Sequence, residues 1–282
     1  MRVEACCQSL LSTILPEVDP QKNGFCIDVG VGTFAFYCEV FAQLGYPTVA
    51  VEPLPVRKLR QRCDRYSIEL VEACLSNING KQKLYLGNFA GLFNHNFNSL
   101  SPDWFGSSQK SKEVFSLTLP TLLDKINANQ ITCLKLDIEG WEFNVIKQFT
   151  ELPSHLLPKV VMFEYGGGVN KTQGKKGWSK DFLEKTLNCL SVLKNCGYSS
   201  SILVDFAPRS QEKLFDLRSL DLTQDQLFTD QSVYGNIISL RDGEISEAKI
   251  HQVCQSYYDA SPIDLIVNAL VSRYGSSDQK EK

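Results

Sequence analysis

Four carboxylates stand where short apolar runs end. Asp28 lies in F-C-I-D-V-G-V-G-T-F (Phe25 to Phe34), and Glu52 follows Thr48 to Val51. Asp137 lies in C-L-K-L-D-I-E-G-W-E (Cys133 to Glu142), and Glu164 follows Lys159 to Phe163. Gly30 and Gly32 come directly after the first of these acids. Glycine admits positive φ and lets a ligand approach the main chain closely. Glu52 is 22 residues past Gly30, near the spacing of ~20 at which an acid reaches a ribose diol. A glycine turn followed by such an acid points to a ligand that contains adenosine. An ordinary tight turn and a surface glutamate would also fit a lone glycine motif; the second acid at the right distance weighs against that.

Those residues need elements to carry them. Phe25 to Val29 is short, rich in Val, Ile and Phe and closed by glycine, so it reads as a buried strand. Phe36, Tyr37, Val40, Phe41 and Leu44 recur on one face of a helix that Gly45 ends. Thr48 to Val51 is the second strand. Val56, Leu59, Cys63 and Tyr66 define a helix whose remaining faces carry Arg57, Lys58, Arg60, Arg62 and Arg65. A solvated face explains that basic run better than nucleic acid does, because no aromatic residues interleave to stack on bases. Ile68 to Ala73 is the third strand. Asn79-Gly80 signals a hairpin, with Lys83 to Leu86 returning. Gly87 to Lys112, rich in Asn, Ser and Phe without a period, is expected to form a lid or substrate loop. Val114 to Leu119 reads as an edge strand, and Pro120 starts a short helix over Thr121 to Ile126. Val145, Ile146 and Phe149 carry a helix after the Asp137 strand. Lys180 to Asn195 forms another, capped by Ser179 and ended before Gly197. Ser201 to Asp205 and Asn236 to Leu240 are the final strands. Alternating strands and helices give a mostly parallel sheet covered on both faces. Such sheets bind ligands beyond the carboxyl ends of their strands, where strand order reverses. The four acids then share one rim.

With 282 residues, 43% of them hydrophobic and 22% charged, the chain suffices for one large α/β domain. The expected division is a helical lead-in over residues 1–23 at one edge of the sheet, the α/β domain over 24–242, and a helical extension with a frayed tail over 243–282. A net charge of -3 gives no general attraction to nucleic acid. Ten cysteines are dispersed without a C-x-x-C pair and three histidines are scattered, so no zinc site is expected and no metal is assigned. Neither a charged start before a long apolar run nor a membrane-length stretch occurs, which fits a cytoplasmic protein with no membrane partner.

A pyrophosphate prefers bare N–H groups and cations, so an acidic rim suits a cationic, phosphate-free adenosine ligand better. S-adenosylmethionine has the ribose diol, a free amino group and a positive sulfonium. The sequence in fact resembles the FkbM-type family of S-adenosylmethionine-dependent methyltransferases. The matching segments are I-D-V-G-V-G (Ile27 to Gly32), V-A-V-E-P (Val49 to Pro53), E-A-C-L-S (Glu72 to Ser76) and above all L-K-L-D-I-E-G-W-E (Leu134 to Glu142). The resemblance covers roughly Gly24 to Tyr165, and Y-G-N-I-I-S-L looks like the family's closing strand. It departs at Gly32, where the family commonly has Asn, and at Phe34, where it commonly has Gly.

The resemblance implies a Rossmann-like class I methyltransferase fold: a doubly wound, seven-stranded, mostly parallel sheet whose last strand is antiparallel. It implies that Asp28, Gly30 and Gly32, with Thr33 and Phe34 beside them, line the methionine end of the cofactor. Glu52 and Pro53 would lie at the ribose, Ala73, Cys74 and Leu75 at the adenine, and Asp137 at the cofactor's amino end and the transfer site. The family typically methylates hydroxyl oxygens on sugars, polyketides and other secondary metabolites, so the expected partner is a small-molecule hydroxyl acceptor. An alcohol must lose its proton as the bond forms. Asp137 is the first candidate for that base, Glu139 and Glu164 the next, and His95 in the long loop a fourth. Two other readings stay open: an NAD-dependent oxidoreductase, although Phe34 stands where the third glycine would pack helix on strand, and a methyltransferase-like module that only binds.

Overall fold

The structure, a computed structural model, describes residues 1–89, 92–93, 95–104, 107–166, 180–207, 209–221, 227–228, 232, 234–241, 243 and 246–258. In chain order its elements are α1 (Val3–Val18), β1 (Phe25–Val29), α2 (Phe36–Gln43), β2 (Thr48–Val51), α3 (Arg57–Tyr66), β3 (Glu69–Val71), β4 (Cys74–Leu75), β5 (Gly80–Phe89), β6 (Leu92–Phe93), β7 (Ser107–Leu117), α4 (Leu119–Lys125), β8 (Ile131–Leu136), α5 (Glu142–Ile146), β9 (Val160–Gly166), α6 (Lys180–Asn195), β10 (Ser200–Asp205), β11 (Lys213–Asp216), β12 (Tyr234–Leu240) and α7 (Glu247–Cys254).

The main sheet has the order β11-β10-β12-β9-β8-β1-β2-β3. It has eight strands rather than the expected seven; the additional one is β11, four residues at the edge with exposed ends and none fully buried. Strands β9, β8, β1, β2 and β3 run parallel, and β12 is antiparallel to both of its neighbours. Chain order reverses between β1 and β8, where the chain leaves β1 for β2 and β3 on one side and later fills β8 and β9 on the other.

A second sheet, β4-β7-β5-β6, takes up much of the stretch expected as loop. The long pairing of β5 with β7 runs from Gly80↔Ser116 to Gly87↔Ser107. Asn79-Gly80 therefore does not return the chain onto β3, and β7 is interior to its sheet rather than an edge. Its residues 109–113 are exposed on both faces, so Gln109, Lys110, Ser111, Lys112 and Glu113 give no apolar alternation to reveal the strand. Lys171, Lys175, Lys176, Ser179 and the tail beyond 258 lie outside the described residues.

Side chains alternate across a strand, and two cores follow. Ile27, Val29, Leu134, Leu136, Val161 and Phe163 pack against α4, α5 and α6. Cys26, Cys133, Val160 and Met162 pack on the opposite face against α1, α2 and α7. Helix α1 thus covers a face of the sheet and not an edge; Val3, Cys6, Cys7, Leu10, Leu11, Ile14 and Leu15 are all buried there. The same alternation puts Asp28, Lys135, Glu164 and Asn236 on the α1 side.

Candidate active site

The cavity at the β1/β8 reversal, of about 240 Å³, is where the sequence motifs meet. Asp28, Gly30, Gly32, Thr33, Phe34, Glu52, Pro53, Cys74, Leu75, Asp137 and Glu139 all line it. Glu164 is not among them; it borders a smaller space behind, beside Trp104, Gly140 and Phe182. His95 opens a 3₁₀ turn (His95–Phe97), and its side chain lies outside the described residues.

The glycine turn is held by backbone packing. Gly30 has φ +78° and Gly32 φ +62°. A Cβ on Gly30 would fall 1.7 Å from the Asp137 carbonyl oxygen, so no other residue fits without moving the β8 loop. Asn96, in the 3₁₀ turn after β6, closes over the glycine turn, its Oδ1 accepting from Thr33 N–H and Thr33 Oγ1–H, both at 3.2 Å. Phe34 does not fill the turn. Its ring is 38% exposed, stacks on Phe36 with centroids 5.3 Å apart and lies under the Lys58 ammonium at 4.4 Å.

Across the cavity Glu52 accepts from Gly32 N–H at 3.1 Å and Leu54 N–H at 3.0 Å. Each carboxylate oxygen keeps a free lone pair for a further donor. Burial pushes the Glu52 carboxyl up to about 7, although the two N–H groups oppose the rise.

On the floor, strand register sets Asp28 directly opposite Lys135. The Lys135 ammonium, 3% exposed, lies 2.9 Å from Asp28 Oδ1 and 3.3 Å from Asp137 Oδ2. Burial alone would lower the Lys135 pKa, but Asp28 and Asp137 outweigh it and raise it. Cys38 Sγ–H donates to Asp28 Oδ2 at 3.3 Å. Asp28 is thereby spent on Lys135 and Cys38, and acts on the cavity by fixing a cation in its floor. Glu4, at the start of α1, reaches the same cavity. It accepts from Tyr37 O–H at 2.6 Å and Asn236 Nδ2–H at 3.1 Å.

The loop after β8 carries two consecutive left-handed residues, Glu139 (φ +56°) and Gly140 (φ +88°). Glu142 clamps it by accepting from Ile138 N–H at 3.0 Å and Gly140 N–H at 3.3 Å. Ser99 Oγ–H donates to the Glu139 carbonyl at 2.6 Å. Burial, with the charge of Asp137 adding to it, drives the Glu139 and Glu164 carboxyls well above the ordinary range.

Several cavity residues escaped the sequence reading, among them Lys135, Tyr37, Asn96 and Glu4. Lys135 had a signal: a lone charge in an otherwise apolar strand must find a buried partner. Tyr37 was read only as part of an apolar helix face. Asn96 and Glu4 had no signal, because each arrives from an element whose placement depends on the whole fold.

Comparison with known proteins bears on this geometry. Residues 24–200 match the family model for the Methyltransferase FkbM domain. No curated protein matches. Solved structures do: one is a Lactococcus lactis protein provisionally described as a hemolysin, with 14% identity, covering 92% of this chain and 100% of its own at a TM-score of 0.37. That likeness is too slight to argue from.

Proposed function

Because this chain belongs to the FkbM methyltransferase family, we propose that it is an S-adenosylmethionine-dependent O-methyltransferase acting on a hydroxyl of a sugar or secondary metabolite in the cytoplasm. The observation that supports this most is the pairing of walls in one cavity: the Gly30–Gly32 turn with Glu52 on one side, Asp137 and Glu139 on the other. The charges fit the cofactor. Lys135, the one Lys or Arg lining the cavity among the described residues, is offset by Asp28, and the remaining lining carboxyls, Glu4, Glu52, Asp137 and Glu139, offer acceptors rather than cations, which favours a sulfonium and an ammonium over a pyrophosphate.

When bound, S-adenosylmethionine supplies an electrophilic methyl group on a positive sulfur. Gly30 and Gly32 present bare backbone to its methionine end. Glu52, held by two N–H groups, accepts from the ribose hydroxyls, and Ala73 to Leu75 border the adenine. Asp137 faces the cavity with 30% of its side chain accessible and takes the hydroxyl proton of the acceptor at its free oxygen. Lys135 holds that carboxylate in place through their ion pair. Holding the acceptor in line is the larger contribution, since orientation supplies ~7–11 kcal/mol against ~10²–10⁴-fold for a positioned base.

Calorimetric titration with S-adenosylmethionine is the direct test. Saturable one-to-one binding is expected; no heat and no thermal shift at millimolar cofactor would dismiss the reading. Equal or tighter binding of NAD would transfer the cavity to a dinucleotide.

A further inference from the structure

We propose that Asp137, Glu139 and Glu164 together bind one hard divalent cation of the Ca²⁺, Mn²⁺ or Mg²⁺ class through one oxygen each. The three oxygens lie within 4.8 Å of one another. Opposed oxygens on Ca²⁺ at ~2.3–2.6 Å are about 4.6–5.2 Å apart and adjacent ones closer, so a single ion reaches all three. Carboxylate oxygens select hard cations over zinc or copper, which favour nitrogen and sulfur.

Unmet bonding separates this cluster from an ordinary acidic patch. Glu164 Oε2 is sealed from solvent and accepts no hydrogen bond. Glu139 is 8% exposed with the Trp104 indole beside it, and that indole N–H has no hydrogen-bond partner of normal geometry. Glu142 nearby is committed to Ile138 and Gly140. Lys135 is shared between Asp28 and Asp137 and makes no ion pair with Glu139 or Glu164 among the described residues. A sealed carboxylate oxygen without a donor is costly, and a cation offsets it together with the charges of Asp137 and Glu139. Asp137 and Glu139 line the large cavity, and Glu164 borders the space behind. The ion would sit in the wall between, with its remaining positions open to water.

The full chain, stripped with chelator and free of nucleoside, is titrated with Tb³⁺ under tryptophan excitation, since Trp104 borders Glu139. Ca²⁺, Mn²⁺ and Mg²⁺ then compete, and calorimetry with Ca²⁺ gives the stoichiometry. One ion per chain is expected, displaced by Ca²⁺. Glu164→Gln and Glu139→Gln should each weaken binding by at least ~10-fold, while the exposed Glu113→Gln leaves it unchanged. Glu164→Gln removes the charge of a carboxyl whose Oε2 accepts no hydrogen bond, so that variant should melt no lower than the wild type. Absence of saturable binding, or one-to-one binding that both variants retain in full, overturns the site. Because no nucleoside is present, either result stands apart from the methyltransferase reading.

Discussion

At the residue scale the cavity divides its acids by what each already holds. Asp28 is occupied by a cation, Glu52 by two backbone donors, and Asp137 by half of an ammonium. Asp137→Ala is expected to lower turnover by about 10²–10⁴-fold if its carboxylate is the base, with the circular dichroism spectrum and melting temperature kept. Undiminished methylation would remove Asp137 from the chemistry. Glu52→Ala is expected to weaken S-adenosylmethionine binding at least tenfold, and unchanged affinity would detach Glu52 from the ribose. A pH dependence follows from the same side chain. Its carboxyl in the folded protein lies at about 7, and hydroxyl donors bind the ionised form better. Binding should therefore strengthen as pH rises from 6 to 8 and level off above. Calorimetry across that range should give a flat profile for Glu52→Gln.

At the element scale Asp19 staples the end of α1 to the base of the sheet. It accepts from Gly24 N–H at 3.0 Å and from the Thr132 hydroxyl, and pairs with Lys159 at 3.4 Å. Burial alone would raise its carboxyl, but Thr132, Gly24 and Lys159 lower it overall. Asp19→Ala should cost about 2–4 kcal/mol, since it strands a buried hydroxyl and an N–H. A carboxyl lowered in the folded state stabilises above its unfolded value of ~3.9, and that stability is lost as pH falls through the folded value. Urea unfolding should show the full gap between the two proteins at pH 7 and a progressively narrower one as pH falls below about 4. Local chemistry made this half of the fold legible. β1, α2, β2 and α3 fall where apolar period and glycine punctuation put them, and Thr118 caps α4 ahead of Pro120. The β5–β7 ribbon was legible only at Lys83 to Leu86 and from Val114 on. Over 107–113 its ladder is made by backbone groups, and Lys110, Lys112 and Glu113 point to water, so nothing in those residue types distinguishes it from loop. β11 is too short and too exposed to announce itself.

At the scale of the whole molecule, the segment that matches the family begins at residue 24, yet the core does not. Five of the side chains that α1 buries are Val, Leu or Ile, worth about 8–15 kcal/mol of transfer free energy at ~1.5–3 each. That is comparable to the entire stability of a typical domain. A chain starting at Gly24 should therefore lack a cooperative melt, and a sharp thermal transition from that truncation would show that α1 is dispensable. It would also lack Glu4, and with it one wall of the cavity. No helix among the described residues is long and apolar enough to cross a membrane.

Gly30 leaves a mark on how this cavity can change over time. Because any Cβ there would meet the Asp137 carbonyl, a larger residue must displace the backbone that also carries Lys135 and Glu139. Drift at position 30 is thus epistatic with three positions more than a hundred residues away. New acceptor preferences have a freer path through Phe34, Phe36 and Asn96, where side chains and not main chain set the boundary.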